Sequence, residues 1–194
     1  KTKKNISVLD IGAAPGGKTF QLLDKHYNLT SLEISPKRIQ RLKDNLIRLN
    51  LKTKIIQADI LDWKTKELFD CILLDAPCSA SGLIQKKPEI LIKNKLLELK
   101  NLIKKQELML NKSISFLKKG GILVYSVCSI HSEEGVNQIK KFLNTNKDYS
   151  LINTNFFDRN LGGNYNDGMF ISTPADFINY GSIDGFFIAC LKRF

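Results

Sequence analysis

The sequence predicts an α/β fold, a mostly parallel sheet covered by helices on both faces. Three observations carry that expectation. Short apolar runs alternate with segments of helical period, acids stand at the ends of successive runs (Asp10, Glu33, Asp59, Asp75), and no repeat or linker divides the chain. A chain of 194 residues with 43% hydrophobic content suits one sizeable core, so residues 1–194 are expected to form a single domain.

In order, Ile6–Ile11 reads as a short buried strand, and Gly12–Gly17 as a loop opening a helix that runs to about His26. Leu29–Ile34 is the second strand. Pro36 then sits at a helix start, because its fixed φ suits the first helical turn, and Ile39, Leu42, Leu46 and Leu49 recur on one face up to Asn50. Ile55–Gln57 and Cys71–Leu74 are two more strands. Apolar positions return at helical spacing from about Glu89 to Leu117, Gly120-Gly121 is expected to stop that helix, and Ile122–Val127 makes another strand. A helix over Glu133–Leu143 and a strand over Phe186–Leu191 complete the pattern, with Asn153–Gly185 read as loop. Ligands in such sheets lie beyond the carboxyl ends of the strands, which directs attention to the residues after Ile11, Ile34, Gln57, Leu74 and Val127.

The net charge of +11 draws polyanions, since each phosphate neutralised by Lys or Arg releases condensed counterions; nucleic acid is the natural partner. No apolar run is long enough to cross a bilayer as a helix. Cys71, Cys78, Cys128 and Cys190 form no CxxC pair and have no His at zinc-ligand spacing, so no metal site is expected and a reducing cytoplasm fits. The chain starts at Lys1 and reaches its first strand almost at once, so an upstream segment is expected to be missing.

The loop Gly12-Ala13-Ala14-Pro15-Gly16-Gly17-Lys18-Thr19 satisfies the phosphate-binding pattern GxxxxGK[ST], and Cys71-Ile72-Leu73-Leu74-Asp75 resembles the apolar strand and Asp that hold magnesium in nucleotide hydrolases. Two residues weigh against a hydrolase. Glu33 ends the second strand where a carboxylate can accept both hydroxyls of a ribose, and Pro15 removes an N–H from a loop that needs many donors to hold phosphate. The acid series suits a cationic nucleoside such as S-adenosylmethionine, with Asp59 facing the adenine edge and small loop residues letting backbone approach the amino-acid end.

Asp75-Ala76-Pro77-Cys78 and Tyr125-Ser126-Val127-Cys128 bring two cysteines to the same rim. A cytosine is not nucleophilic enough at carbon 5 to take a methyl group unaided. A thiolate adding at carbon 6 makes it so, and a second group must then help to release the adduct. The chemistry alone leaves open which cysteine attacks. Asp75, beside them, can hydrogen-bond the base and stabilise charge as the thiolate adds. Cys71 and Cys190, inside apolar strands, read as small hydrophobes.

The blocks DIGAAPGGKT, SLEISPKRIQRLKDNL, QADILDW, FDCILLDAPCSASGLIQKKPEI, GGILVYSVCSIHSEEGVNQI and IDGFFIACL resemble, in order and spacing, the RNA cytosine-5 methyltransferases, most of all the bacterial 16S ribosomal RNA enzymes of the Sun/Fmu type. The resemblance runs from about Val8 to Leu191. It implies a Rossmann-like, class I S-adenosylmethionine-dependent methyltransferase with a seven-stranded sheet. It further implies cofactor contacts from Gly12, Ala13, Ala14, Pro15, Gly16, Gly17, Lys18, Glu33, Arg38, Asp59 and Asp75. Cys128 is implied as nucleophile and Cys78 as the group that assists release. Gly12 stands where that family usually has Cys, Glu33 where it has Asp, and Val127 where Thr precedes the nucleophile. Family members carry an N-terminal RNA-binding domain, so this chain is expected to be an isolated catalytic domain, a monomer that meets RNA through Lys86, Lys87 and the Lys-rich helix from Lys93 to Lys119. The competing readings are a P-loop NTPase and an inactive RNA-binding module of the same fold.

Overall fold

The computed structural model describes residues 6–93, 96–152, 164–166, 168–176, 178 and 181–194. Its first half alternates strand and helix: β1 (Ser7–Ile11), α1 (Gly17–Asp24), β2 (Asn28–Glu33), α2 (Pro36–Arg48), β3 (Lys54–Gln57) and β4 (Phe69–Asp75). Then come α3 (Ile90–Lys93), α4 (Leu96–Ser113), β5 (Leu117–Val127) and α5 (Val136–Thr145). Four strands close the chain: β6 (Tyr149–Leu151), β7 (Asn164–Asn166), β8 (Met169–Ser172) and β9 (Phe186–Arg193).

Local chemistry explains the boundaries. Pro36 opens α2 behind Ser35, whose side chain accepts from the Arg38 N–H, and Ile39, Leu42 and Leu46 are its buried stripe. In β1, Leu9 and Ile11 enter the main core while Asp10 between them turns to the other face, where Thr19 of α1 meets it. The main core joins these strands to Met109 and Leu110 of α4 and Ile139 and Phe142 of α5; a second cluster packs Ala13 and Ala14 against Leu42 and Leu46 of α2. Helices thus cover both faces of the sheet.

The strand order is β3-β2-β1-β4-β5-β9-β8-β7, with β6 also on β9. The ladders from β3 through β5 are parallel, and β9 runs antiparallel to β5. Because the chain winds outward from β1 in both directions, the crevice between the carboxyl ends of β1 and β4 is the switch point where such sheets bind ligands.

Three expectations need correction. Among the described residues the sheet has nine strands rather than seven, because the free edge of β9 is shared: β6 pairs with Leu191–Arg193, β8 pairs with Phe186–Ala189, and β7 adds a hairpin to β8. The stretch read as loop therefore holds β7 and β8, although residues 153–163 lie outside the described residues. The long helix ends at Ser113 and a 3-10 turn over Ile114–Phe116, not at Gly120-Gly121. Leu117 is buried opposite Phe69 and starts the strand early, and the register shift between Phe69 and Cys71 absorbs Gly120 at φ 78°. Among the described residues no helix is long and apolar enough to cross a membrane.

Candidate active site

At the switch point the chain leaves β1 through Gly12, whose φ is 80° and whose missing Cβ would lie 2.5 Å from the Asp75 carbonyl oxygen, so only glycine lets the two strand ends come together. Beyond them opens a cavity of about 270 Å³. Its walls carry Glu33, Arg38 and Asp59 on the β2–β3 side and Asp75, Cys78 and Cys128 on the β4–β5 side.

Glu33 is 3% exposed. Its Oε1 accepts the Ser35 N–H at 3.0 Å, while its Oε2 is buried with no hydrogen bond and has only the Arg38 guanidinium 3.5 Å away. Arg38 also donates to the Ala14 carbonyl. Asp59 Oδ1 accepts the Leu61 N–H at 3.0 Å, which holds the turn after β3. Of the Gly-rich loop, Gly12 lines the cavity, whereas Ala13 and Ala14 are packed against α2 and Pro15, Gly16, Gly17 and Lys18 do not line it. Asp10 lies beneath the loop, fully buried, accepting from Thr19 Oγ1 at 2.6 Å. Burial pushes its pKa up to about 6.

A phosphate-binding loop needs free N–H groups. Here the Gly12 and Ala13 N–H groups both donate to the Leu32 carbonyl, at 2.9 and 3.3 Å, and Lys18 Nζ reaches Asp75 Oδ2 at 2.7 Å. Two donors and the cation of the literal motif are already committed.

Cys78 and Cys128 stand with their sulfurs 3.4 Å apart. The hydrogen bond with Cys78 lowers the pKa of Cys128, with burial and the Asp75 carboxylate opposing it and the Lys18 cation assisting; the same bond, together with burial, raises the pKa of Cys78. Of the two sulfurs, the pairing favours the thiolate form at Cys128 and disfavours it at Cys78. Asp75 Oδ1 accepts from Ser126 Oγ at 3.3 Å, so this carboxylate is held from both sides. Cys71 and Cys190 sit in mid-strand opposite Ile122 and Val124, outside the cavity walls, with burial raising both thiols.

Sequence reasoning missed Lys105 and Met109 of α4, which line the cavity, and the buried Gln106 and Glu134 beside it. Gln106 carries a signal that was available: it interrupts the stripe Ile103, Met109, Leu110, Ser113 at helical spacing, where a polar residue must have a buried partner. Glu134 reads as an ordinary residue of a helix start. Lys86 and Lys87 are exposed and do not line the cavity; Lys86 Nζ pairs with Asp184 Oδ2 at 2.8 Å.

The model of the 16S rRNA methyltransferase RsmB/F family matches residues 1–192. The chain is 39% identical over 173 residues to ribosomal RNA small subunit methyltransferase B of Salmonella paratyphi B, covering 84% of this chain and 40% of that protein. Curated relatives of this kind are spanned over 38% to 40% of their length. Among solved structures, NSun6 from Pyrococcus horikoshii, solved with SFG, superposes with a TM-score of 0.82 at 29% identity, covering 97% of this chain and 48% of that one. A methyltransferase homolog protein from Pyrococcus horikoshii gives a TM-score of 0.78 at 28% identity over 99% of this chain and 63% of that one.

Proposed function

The chain belongs to the 16S rRNA methyltransferase RsmB/F family, and from that premise we propose that it methylates carbon 5 of a cytosine in RNA, most fittingly 16S ribosomal RNA, using S-adenosylmethionine. The observation that carries this reading is the cysteine pair, 3.4 Å between sulfurs, on a cavity whose other side presents a buried carboxylate oxygen of Glu33 with no hydrogen bond. With only the Arg38 guanidinium 3.5 Å away, this buried acceptor is incompletely satisfied, and ribose hydroxyls supply donors of the right kind. NSun6 was solved with SFG, an analogue of S-adenosylmethionine, which supports the same cofactor here.

When bound, that cofactor supplies an electrophilic methyl group on a sulfonium. Glu33 would hold the ribose, Asp59 the adenine edge, and Gly12 the close backbone approach. The protein residues do the rest. Cys128, lowered in pKa, adds as thiolate to carbon 6 of the cytosine: the sulfur–carbon bond forms and the ring double-bond electrons move to carbon 5, which becomes nucleophilic. Asp75, fixed by Lys18 and Ser126, accepts from the exocyclic amine of the base and orients the ring. After carbon 5 has taken the methyl group, its proton passes to a solvent water acting as base. The electron pair re-forms the ring double bond, and the Cys128 sulfur leaves. Cys78 assists that departure from its place beside the leaving sulfur. Lys86 and Lys87 contact RNA phosphates outside the cavity. The 194 residues act as the catalytic domain, in the cytoplasm and as a monomer.

Incubation of Cys128→Ala and Cys78→Ala variants with cofactor and RNA tests the reading. Cys78→Ala is expected to accumulate a covalent protein–RNA adduct on denaturing gels and Cys128→Ala to form none; a Cys128→Ala variant that methylates normally removes Cys128 as nucleophile. RNA binding without methyl incorporation by the wild type leaves only a binding module of this fold.

A further inference from the structure

Cys78 and Cys128 lie 50 residues apart on two separate loops, and their 3.4 Å spacing has to be set by something other than the strands that carry them. The β4–β5 ladder ends at Asp75 and Ser126, followed by one bond from the Ala76 N–H to the Ser126 carbonyl. Beyond that point the Gly82 N–H donates to the Cys128 carbonyl at 3.1 Å and the Ile130 N–H to Ser81 Oγ at 3.1 Å, and one buried side chain grips both loops next to the cysteines. Glu134 is fully buried. Its Oε1 accepts the Ser79 N–H at 2.9 Å and Gln106 Nε2 at 2.8 Å; its Oε2 accepts Ser79 Oγ and Ser129 Oγ, each at 2.5 Å. Gln106 Nε2 also donates to the Pro77 carbonyl at 2.9 Å, so the peptide groups on both sides of Cys78 are held. On the other loop Ser129, next to Cys128, accepts the His131 N–H at 3.1 Å and meets Ser81 Oγ at 3.0 Å. Both oxygens of this buried carboxyl group are thus hydrogen-bonded, as buried polar groups require.

We propose that Glu134 is a positioning residue for the cysteine pair, a buried carboxylate that grips the residue after Cys78 and the residue after Cys128 and thereby sets the distance between the two sulfurs. Glu134 does not line the cavity, so it acts through the loops. Gln106 extends the grip to α4, whose Lys105 and Met109 do line it, and ties the cysteines to the helix that closes that wall. The reaction in which this spacing matters rests on the function proposed above; the spacing itself does not.

The test reads Cys128 directly. Wild type and Glu134→Ala are alkylated with iodoacetamide from pH 6 to 10, and modified Cys128 is quantified by mass spectrometry of its peptide, with circular dichroism confirming the fold. The groups facing Cys128 are Cys78, Asp75, Lys18 and Lys105, with Glu33, Arg38 and Asp59 across the cavity and Glu134, Tyr125 and His131 behind the loops. If Glu134 sets the spacing, its loss separates Cys78 from Cys128 and moves the Cys128 profile upward by about one pH unit, roughly a tenfold slower reaction at neutral pH. A purely structural residue lowers the melting temperature without moving that profile. A folded Glu134→Ala protein whose Cys128 profile overlays the wild type overturns the proposal. If Glu134→Ala does not fold, Ser79→Ala and Ser129→Ala, each removing one hydroxyl from the carboxylate, are expected to shift the profile in the same direction, and two unshifted profiles overturn it. A shifted profile in a protein that never methylates RNA refutes the proposed reaction and leaves the positioning role standing.

Discussion

The two sides of the cavity treat buried polar groups in opposite ways. Among the described residues, the buried side-chain atoms with no hydrogen-bond partner are Asp10 Oδ1, Ser31 Oγ and Glu33 Oε2, all on β1 and β2. On the β4–β5 side, Glu134, Ser79, Ser129 and Gln106 are buried as deeply and are all hydrogen-bonded. Each unmet buried group costs on the order of 1–3 kcal/mol, and of the three residues Glu33 lines the cavity, where a ligand can supply donors. The second side holds its sulfurs in place before any substrate arrives. One side is built to be completed and the other is complete.

The sharpest way to break this comparison is at the completed side. Cys128→Ala removes the sulfur while leaving the Glu134 network intact, and methyl transfer is expected to fall by at least ~10³-fold. Cofactor affinity, measured by calorimetry, is expected to change little. A large loss of affinity in this variant would mean that the two sides are one coupled unit.

On the open side, Asp10 should make stability depend on pH. Burial lifts its pKa from the ordinary 3.8 to about 6, so between these values the folded chain holds a proton that the unfolded chain has lost. Its contribution is greatest below the unfolded pKa and is lost as pH rises through about 6, by about 3 kcal/mol in all. Asp10→Asn keeps an oxygen for Thr19 and cannot ionise. Urea unfolding at intervals from pH 4 to 7 should show the variant losing less stability across that range than the wild type; equal slopes would place the burden elsewhere.

The two sides also differ in how far the sequence discloses them. The open side follows local rules. Pro36 and Ser35 start α2, the stripe Ile39, Leu42, Leu46 turns it onto the sheet, and Glu33 falls at a strand end as its position implies. Even there the two-residue strand period decides more than adjacency, since Asp10, one residue short of the strand end, faces α1 instead of the cavity. The cysteines are legible because each follows an apolar strand. Glu134 is not legible, because its donors come from residues 79, 106 and 129 on three separate elements and no spacing along the chain links them. Gly120-Gly121 misled because glycines that end helices also sit inside strands where a register shifts.

Glu33 provides the reciprocal experiment to Cys128. Glu33→Gln keeps an oxygen for the Ser35 N–H and removes the charge that faces Arg38 and the cavity. Hydrogen bonds to a charged group are worth about 1.5–3 kcal/mol, so affinity for S-adenosylmethionine is expected to drop roughly 10- to 100-fold by calorimetry. The alkylation profile of Cys128 should not move. Distant, independent sites add in their effects, and a double variant of Glu33 and Glu134 whose losses add within about 0.5 kcal/mol would sharpen the division into two halves.

The smallest effect belongs outside both halves, on the exposed Lys86–Asp184 pair, 2.8 Å between charged atoms. Exposed pairs contribute about 0–1 kcal/mol, so Lys86→Ala should barely alter the unfolding midpoint. If Lys86 and Lys87 meet RNA phosphates, the double Ala variant should weaken RNA binding and make log affinity against log salt shallower by about 1.4, the value for two contacts on a single strand. Asp184→Asn separates the two roles: it removes the competing carboxylate, so RNA should bind up to ~5-fold more tightly while stability stays within about 0.5 kcal/mol of wild type. An unchanged salt slope in the double variant would move the RNA contact to another face, with Lys105 at the cavity wall the next cation to replace.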